Sequence, residues 1–112
     1  MGVETLTGMP STAPLLVRAA LTSRGRRGDV VPDRTLVVED VRVDRARLAA
    51  YQRLTGYAVG DTLPQPYPWV LAFPVQTALM ARRDFPMALP GMVHLENRVT
   101  THRAMDAGDP LT

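Results

Sequence analysis

The sequence predicts an α+β fold built around one central apolar helix and a long antiparallel strand. Three observations carry that expectation. The run Tyr67–Met80 is uncharged and holds the single Trp (Trp69) and one of the two Phe (Phe73). Pro74, inside that run, suits the first turn of a helix better than its interior. The spacing therefore predicts an ordered approach over Tyr67–Phe73 and a buried helix from Pro74 to about Arg82, with Val75, Ala78, Leu79 and Arg82 on one face. Finally, Met92–Arg103 alternates, with Val93, Leu95, Val99 and Thr101 on one side and His94, Glu96, Arg98, Thr100 and His102 on the other. This is the period of a half-exposed antiparallel strand.

The other elements follow in order. Residues 1–13 are rich in Gly, Pro, Ser and Thr without periodicity and are expected to form a loose arm. Pro14–Leu21 is apolar enough for a short helix or strand laid on a core. Ser23–Asp29 is a polar loop whose Arg24, Arg26 and Arg27 read as solvated, with no interleaved aromatic residue to suggest nucleic-acid binding. Thr35–Val43 is rich in β-branched residues and reads as a strand. Asp44 is a good N-cap, with Val43 and Leu48 at staple positions, so a helix follows whose stripe is Leu48, Tyr51 and Leu54 and whose stop is Gly56. Pro64, Pro66 and Pro68 favour extended, stiff backbone. Phe85–Gly91 and Asp106–Pro110 read as turns, and Leu111-Thr112 as the first step of a further strand. No internal repeat is present.

Bulk properties narrow the function. With 112 residues the chain makes one small domain with a thin stability margin. Hydrophobic residues at 46% and charged residues at 21% are ordinary for a globular protein. The pI of 9.7 reflects thirteen basic residues that are all Arg, whereas the net charge of +2 gives little general attraction to nucleic acid. The lack of Cys excludes disulfides, thiolate metal sites and a cysteine nucleophile. No apolar run approaches the ~20 residues of a membrane span, and no secretory signal is evident, so a cytoplasmic protein is expected.

Chemistry-bearing constellations are sparse. His94 and His102 lie about 26 Å apart on a regular strand, too far to share a metal. His94, Glu96 and Arg98 share a face but read as a solvated polar patch with a weak ion pair. Ser11 and Ser23 sit in irregular segments without a nucleophile elbow. No phosphate loop, Gly-x-Gly-x-x-Gly or metalloprotease motif is present. Asp61 is the one carboxylate near the Tyr67–Met80 run; it reads as a turn residue, with a desolvated general base as the sharper alternative.

Several stretches together resemble the MaoC-like acyl dehydratases, the (R)-specific enoyl-CoA hydratases, and especially their N-terminal, non-catalytic half. They are Val43-Asp44 with Leu48, Tyr51 and Leu54-Thr55-Gly56; Leu63-Pro64 with Tyr67-Pro68 and Val70-Leu71-Ala72-Phe73-Pro74; and Phe85-Pro86 with Gly91-Met92-Val93-His94, Asn97-Arg98 and Gly108-Asp109-Pro110-Leu111. The resemblance covers residues 32–112, leaving 1–31 as an N-terminal arm and loop. It implies a hot-dog-like fold, a curved antiparallel sheet around a central helix, here incomplete. It further implies an acyl-CoA thioester as substrate class, no cofactor and no metal, and a second hot-dog domain or chain as partner in a homo- or hetero-oligomer. The family's Gly-Asp-x-Asn-Pro-(Ile/Leu)-His motif has no counterpart, since the corresponding region reads Gly56-Tyr57 and then Leu63-Pro64-Gln65-Pro66. No catalytic residue is therefore carried over. Tyr67, Trp69 and Phe73 are candidate walls of an acyl tunnel, because an apolar tail needs concave apolar walls; alternatively they only pack the sheet. The rival function is a non-enzymatic module that dimerises through an exposed strand.

Overall fold

The computed structural model describes residues 2–112. Along the chain run β1 (Gly2–Leu6), α1 (Thr12–Leu21), β2 (Arg34–Val38), α2 (Arg45–Thr55) and α3 (Tyr67–Met80). The class is α+β as expected, but the sheet is not antiparallel. β1 and β2 pair parallel, from Gly2 opposite Arg34 to Leu6 opposite Val38. A parallel pair cannot be closed by a tight turn, and α1 lies in the long connection between the two strands. The expected loose arm thus contains a paired strand. The strand expected over Thr35–Val43 is shorter, because Asp40 adopts φ 54° and turns the chain out of extended geometry.

Helix α2 forms for the reasons the sequence offers. The Asp44 carboxylate accepts from the Ala46 and Arg47 amides at 2.9 and 3.2 Å, which satisfies two of the helix's orphan donors. Gly56 closes the helix at φ 83°, a conformation that costs any residue with a Cβ. Val43 and Leu48 meet in the main core, which also holds Leu63, Tyr67 and Ala107, with Tyr51, Leu71, Met105 and Leu111 packed against it. The expected Leu48–Tyr51–Leu54 stripe is corrected at its end. Leu54 is 86% exposed, and the residue buried beside Leu48 is Gln52. Gln52 Nε2 donates to the carbonyls of Gly60 and Thr62, while Oε1 accepts from the Gly60 amide, so one buried side chain folds the following loop onto the helix.

Helix α3 begins seven residues earlier than the sequence suggests, at Tyr67 rather than Pro74. Pro66 precedes the first residue and Pro68 lies in the first turn, where a missing N–H removes no helical bond. Pro74 is accommodated within the helix, and the Thr77 hydroxyl donates to the Phe73 carbonyl one turn back, at 2.9 Å. The helix is also less buried than expected. It packs against α1 and β2, but Trp69, Val70 and Phe73 remain more than a third exposed.

Past α3, Met92–Arg103 adopts no regular strand, contrary to the alternation. The chain then returns to the core. Leu63 N–H donates to Met105 O and Ala107 N–H to Asp61 O, and Leu111 exchanges a pair of backbone bonds with Val41 in an antiparallel bridge. The expected Asp106–Pro110 turn forms, with the Asp106 carboxylate accepting from Gly108 N–H.

Candidate functional site

Where α3 crosses β2, the two elements leave an apolar cleft of about 440 Å³. Leu36 and Val38 of β2 form one wall and Pro68, Leu71, Ala72 and Val75 of α3 the facing one. Val41, Met105, Leu111 and Met9 close the remaining sides. Spacing explains the α3 wall: positions 68, 71, 72 and 75 recur every three to four residues and so share a helix face. Ala72 is the small residue of that face, and its missing side-chain volume helps keep the cleft open. Val37 and Thr112 complete the lining, and among the described residues that line the cleft no side chain is ionisable.

This wall was readable in the sequence only with the correct helix start. Placing Tyr67–Phe73 outside the helix hides the phase that joins Pro68, Leu71 and Ala72 to Val75. The three predicted tunnel residues are divided by the same geometry. Trp69 and Phe73, one turn apart, pack together with ring centroids 6.1 Å apart on the half-exposed face of α3. Tyr67 is 4% exposed and lies in the main core, 5.1 Å from the Tyr51 ring. Burial pushes the Tyr67 hydroxyl above its ordinary pKa, and the Asp44 charge adds to that, with Arg47 opposing.

The other candidates are also placed. The His94 ring meets Trp69 edge-on at 5.7 Å, so it covers part of the aromatic pair. Glu96 and Arg98 form an exposed pair at 3.2 Å, the weak surface contact expected of such charges. Asp61 is bound by Arg45 at 3.1 Å, while its backbone carbonyl accepts from Ala107; it behaves as a turn residue. The Ser23 hydroxyl donates to the Ala20 carbonyl, and Ser11 precedes α1 without a side-chain cap. No group of three or more His, Asp or Glu that could hold a metal occurs among the described residues. Nor, among them, is any helix long and apolar enough to cross a membrane.

No family model matches the chain, and no solved structure matches it. It is similar to 3-hydroxyacyl-thioester dehydratase X of Mycobacterium tuberculosis (strain ATCC 25618 / H37Rv), with 38% identity over 102 residues. That alignment takes in 89% of this chain and 36% of the mycobacterial protein, so the chain spans about a third of the length of the curated relative it matches.

Proposed function

We propose that this chain is the acyl-holding, non-catalytic part of a hot-dog dehydratase of the MaoC-like type acting on 3-hydroxyacyl thioesters, and that a second hot-dog domain or chain supplies the acid and base. The observation that carries the reading is the aliphatic cleft between β2 and α3. An alkyl tail gains about 0.8 kcal/mol for each CH₂ removed from water, which such walls provide. Dehydration itself requires a base to take the proton from the carbon next to the thioester and an acid to protonate the departing hydroxyl, each within hydrogen-bond reach. No described side chain that lines the cleft can act as either, and this reading assigns both to a partner. Similarity to a protein named as a 3-hydroxyacyl-thioester dehydratase supports the substrate class. In this reading Trp69 and Phe73 extend the acyl wall where the partner covers them, and Tyr67 supports α3 from behind.

The test is the affinity of the chain for acyl thioesters of increasing length, by calorimetry. Affinity should rise by up to about 4-fold per CH₂ until the cleft is filled. Ala72→Phe should abolish that dependence while leaving short-chain binding unchanged. Trp69→Ala should weaken long-chain binding; unchanged long-chain affinity with the fold intact removes Trp69 from the wall. Affinity independent of acyl length in the unmodified chain rejects the whole reading.

A non-enzymatic dimerising module is the second reading. Within the two-stranded sheet β1 has β2 as its single neighbour, and Val3 on β1 is 61% exposed. Open edges of this kind invite pairing with another chain. Concentration-dependent dimerisation abolished by Val3→Pro, together with no length-dependent acyl binding, selects it.

A further inference from the structure

The arginines between α1 and β2, which read from sequence as solvated, belong to a docked loop. Arg26 Nε donates to the Thr22 carbonyl at 2.9 Å. One terminal nitrogen donates to the carbonyls of Arg82 (2.6 Å) and Phe85 (3.0 Å), and the other to the Ala81 carbonyl (3.2 Å) and the Thr22 hydroxyl (2.8 Å). The guanidinium therefore sits just past the negative end of α3, bonded to the C-cap carbonyl of Ala81 and to the Arg82 and Phe85 carbonyls of the turn that follows. Two residues on, Gly28 lies so close to Pro86 that a Cβ there would sit 2.9 Å from the proline Cβ. The two contacts hold the loop against the segment after α3.

Docking the loop builds a second cleft, of about 660 Å³, at the end of α3 remote from Tyr67. Arg24, Arg27 and Arg83 line it, together with Arg26, Asp29 and Asp84. The Asp84 carboxylate is already taken by Arg34 and Arg82, at 2.9 and 3.1 Å. Arg24, Arg27 and Arg83 take part in none of the ion pairs or side-chain hydrogen bonds among the described residues. Three arginines with uncommitted donors thus line one concavity, in excess over the one lining carboxylate, Asp29, that no ion pair takes up among the described residues. In a chain whose net charge is only +2, that concentration is local rather than a consequence of overall basicity.

We propose that this cleft binds a diphosphate-bearing anion through Arg24, Arg27 and Arg83, with Arg26 fixing the loop that presents them. Guanidinium forks pair with phosphate oxygens two at a time, and the cleft is large enough for more than one phosphate. The Arg26 cation, held on the carbonyls that follow α3, offsets the negative end of the helix dipole beneath the cleft. The site goes beyond the acyl-holding function and does not depend on it. The diphosphate can be free, or part of a thioester carrier such as coenzyme A.

The experiment is calorimetric titration of the chain at low salt with inorganic pyrophosphate, with coenzyme A and with pantetheine, which lacks phosphate. Saturable 1:1 binding of pyrophosphate or coenzyme A is expected, with pantetheine silent. Tighter binding of coenzyme A than of pyrophosphate identifies the carrier as the source; equal or weaker binding identifies the free anion. The Arg24→Ala, Arg27→Ala, Arg83→Ala triple variant should bind at least about 10-fold more weakly, since removing each charged hydrogen-bond partner costs appreciable affinity. Removing three arginines elsewhere, by Arg42→Ala, Arg47→Ala and Arg53→Ala, should change it less than about 2-fold. All six are surface side chains, and circular dichroism of both variants checks that the helices persist. Absence of saturable binding to both phosphate compounds, or equal weakening in the two triple variants, overturns the proposal.

Discussion

Replacing Arg26 by Met should destabilise the chain by about 2–3 kcal/mol, far more than an ordinary loop arginine. The side chain stems are similar in length, so the substitution removes mainly the guanidinium and the bonds that it donates to Thr22, Ala81, Arg82 and Phe85. A hydrogen bond from a charged donor contributes roughly 1.5–3 kcal/mol. The several contacts of one guanidinium do not add in full, and the site is only half-buried, so water can reach some of the released carbonyls. Loss of the cation from the helix end adds roughly 0.3–1 kcal/mol. These terms together support the upper range of a single charged bond rather than a sum over five. For a domain of this size the midpoint of thermal unfolding should fall by roughly 8–15 °C. Urea unfolding followed by the fluorescence of Trp69, which sits on α3 itself, measures the change directly. Arg26→Lys retains the charge but not the planar fork and should fall between the two. Arg24→Met, which removes no described contact, is the control. A cost for Arg26→Met within about 0.5 kcal/mol of that control would refute the clamp.

Three further outcomes follow from the same contacts. Gln52→Leu should cost about 1–3 kcal/mol in urea unfolding, since the Gly60 amide and the Gly60 and Thr62 carbonyls lose their buried partner; a neutral substitution would show that water replaces it freely. For Asp84, desolvation works to raise the carboxyl's pKa, but the hydrogen bond and charge of Arg82, then the charge and hydrogen bond of Arg34, hold it below its ordinary value. Its stabilising contribution is therefore fully present above about pH 4 and lost as the pH falls through the depressed folded-state value, so Asp84→Asn should flatten the acid side of the stability profile, and an unchanged profile counts against the pairing. Amide exchange at Val93 and Leu95 should run close to the unprotected rate while Leu48 and Gln52 exchange slowly; protection at 93–95 would mean that a ladder forms there in solution.

The sequence made the elements with local chemical signals legible. Asp44 and Gly56 bracket α2 because a carboxylate cap and a left-handed stop act within a few residues of themselves. The Asp106 turn is local in the same way. Misreadings arose where the deciding partner is distant. Pro74 argues for a helix start, yet α3 forms from Tyr67 because Pro66 and Pro68 supply a better one and the apolar side chains pack across it. Leu54 has the right spacing for the core, but among the described residues no element covers it, whereas Gln52 is buried because the Gly60 loop folds over it. Arg26 resembles its neighbours Arg24 and Arg27 in sequence; what distinguishes it is the end of a helix more than fifty residues away. The wall of the apolar cleft between β2 and α3 fell between the two kinds. Its i, i+3, i+4, i+7 pattern is local, but it is expressed only once the helix start is correct.

Met92–Arg103 shows how a correct pattern can lack its structure. Alternation specifies two faces, but a strand also needs a neighbour to receive its backbone bonds. In this chain β1 and β2 pair with one another far upstream, and the antiparallel contacts nearest this segment, Thr62 with Asp106 and Val41 with Leu111, tie down only the residues after it. The Gln65 side chain donates to the Val99 carbonyl, and Arg103 at the end of the segment pairs with Asp109, but neither contact supplies a ladder. Val93 and Leu95 consequently stand 77% and 91% exposed. His94, between them in sequence, is the residue whose ring touches Trp69. Two exposed apolar features therefore flank His94, which covers only part of the aromatic pair. The second hot-dog domain proposed above would offer this segment a ladder and the Trp69–Phe73 face a lid in the same association.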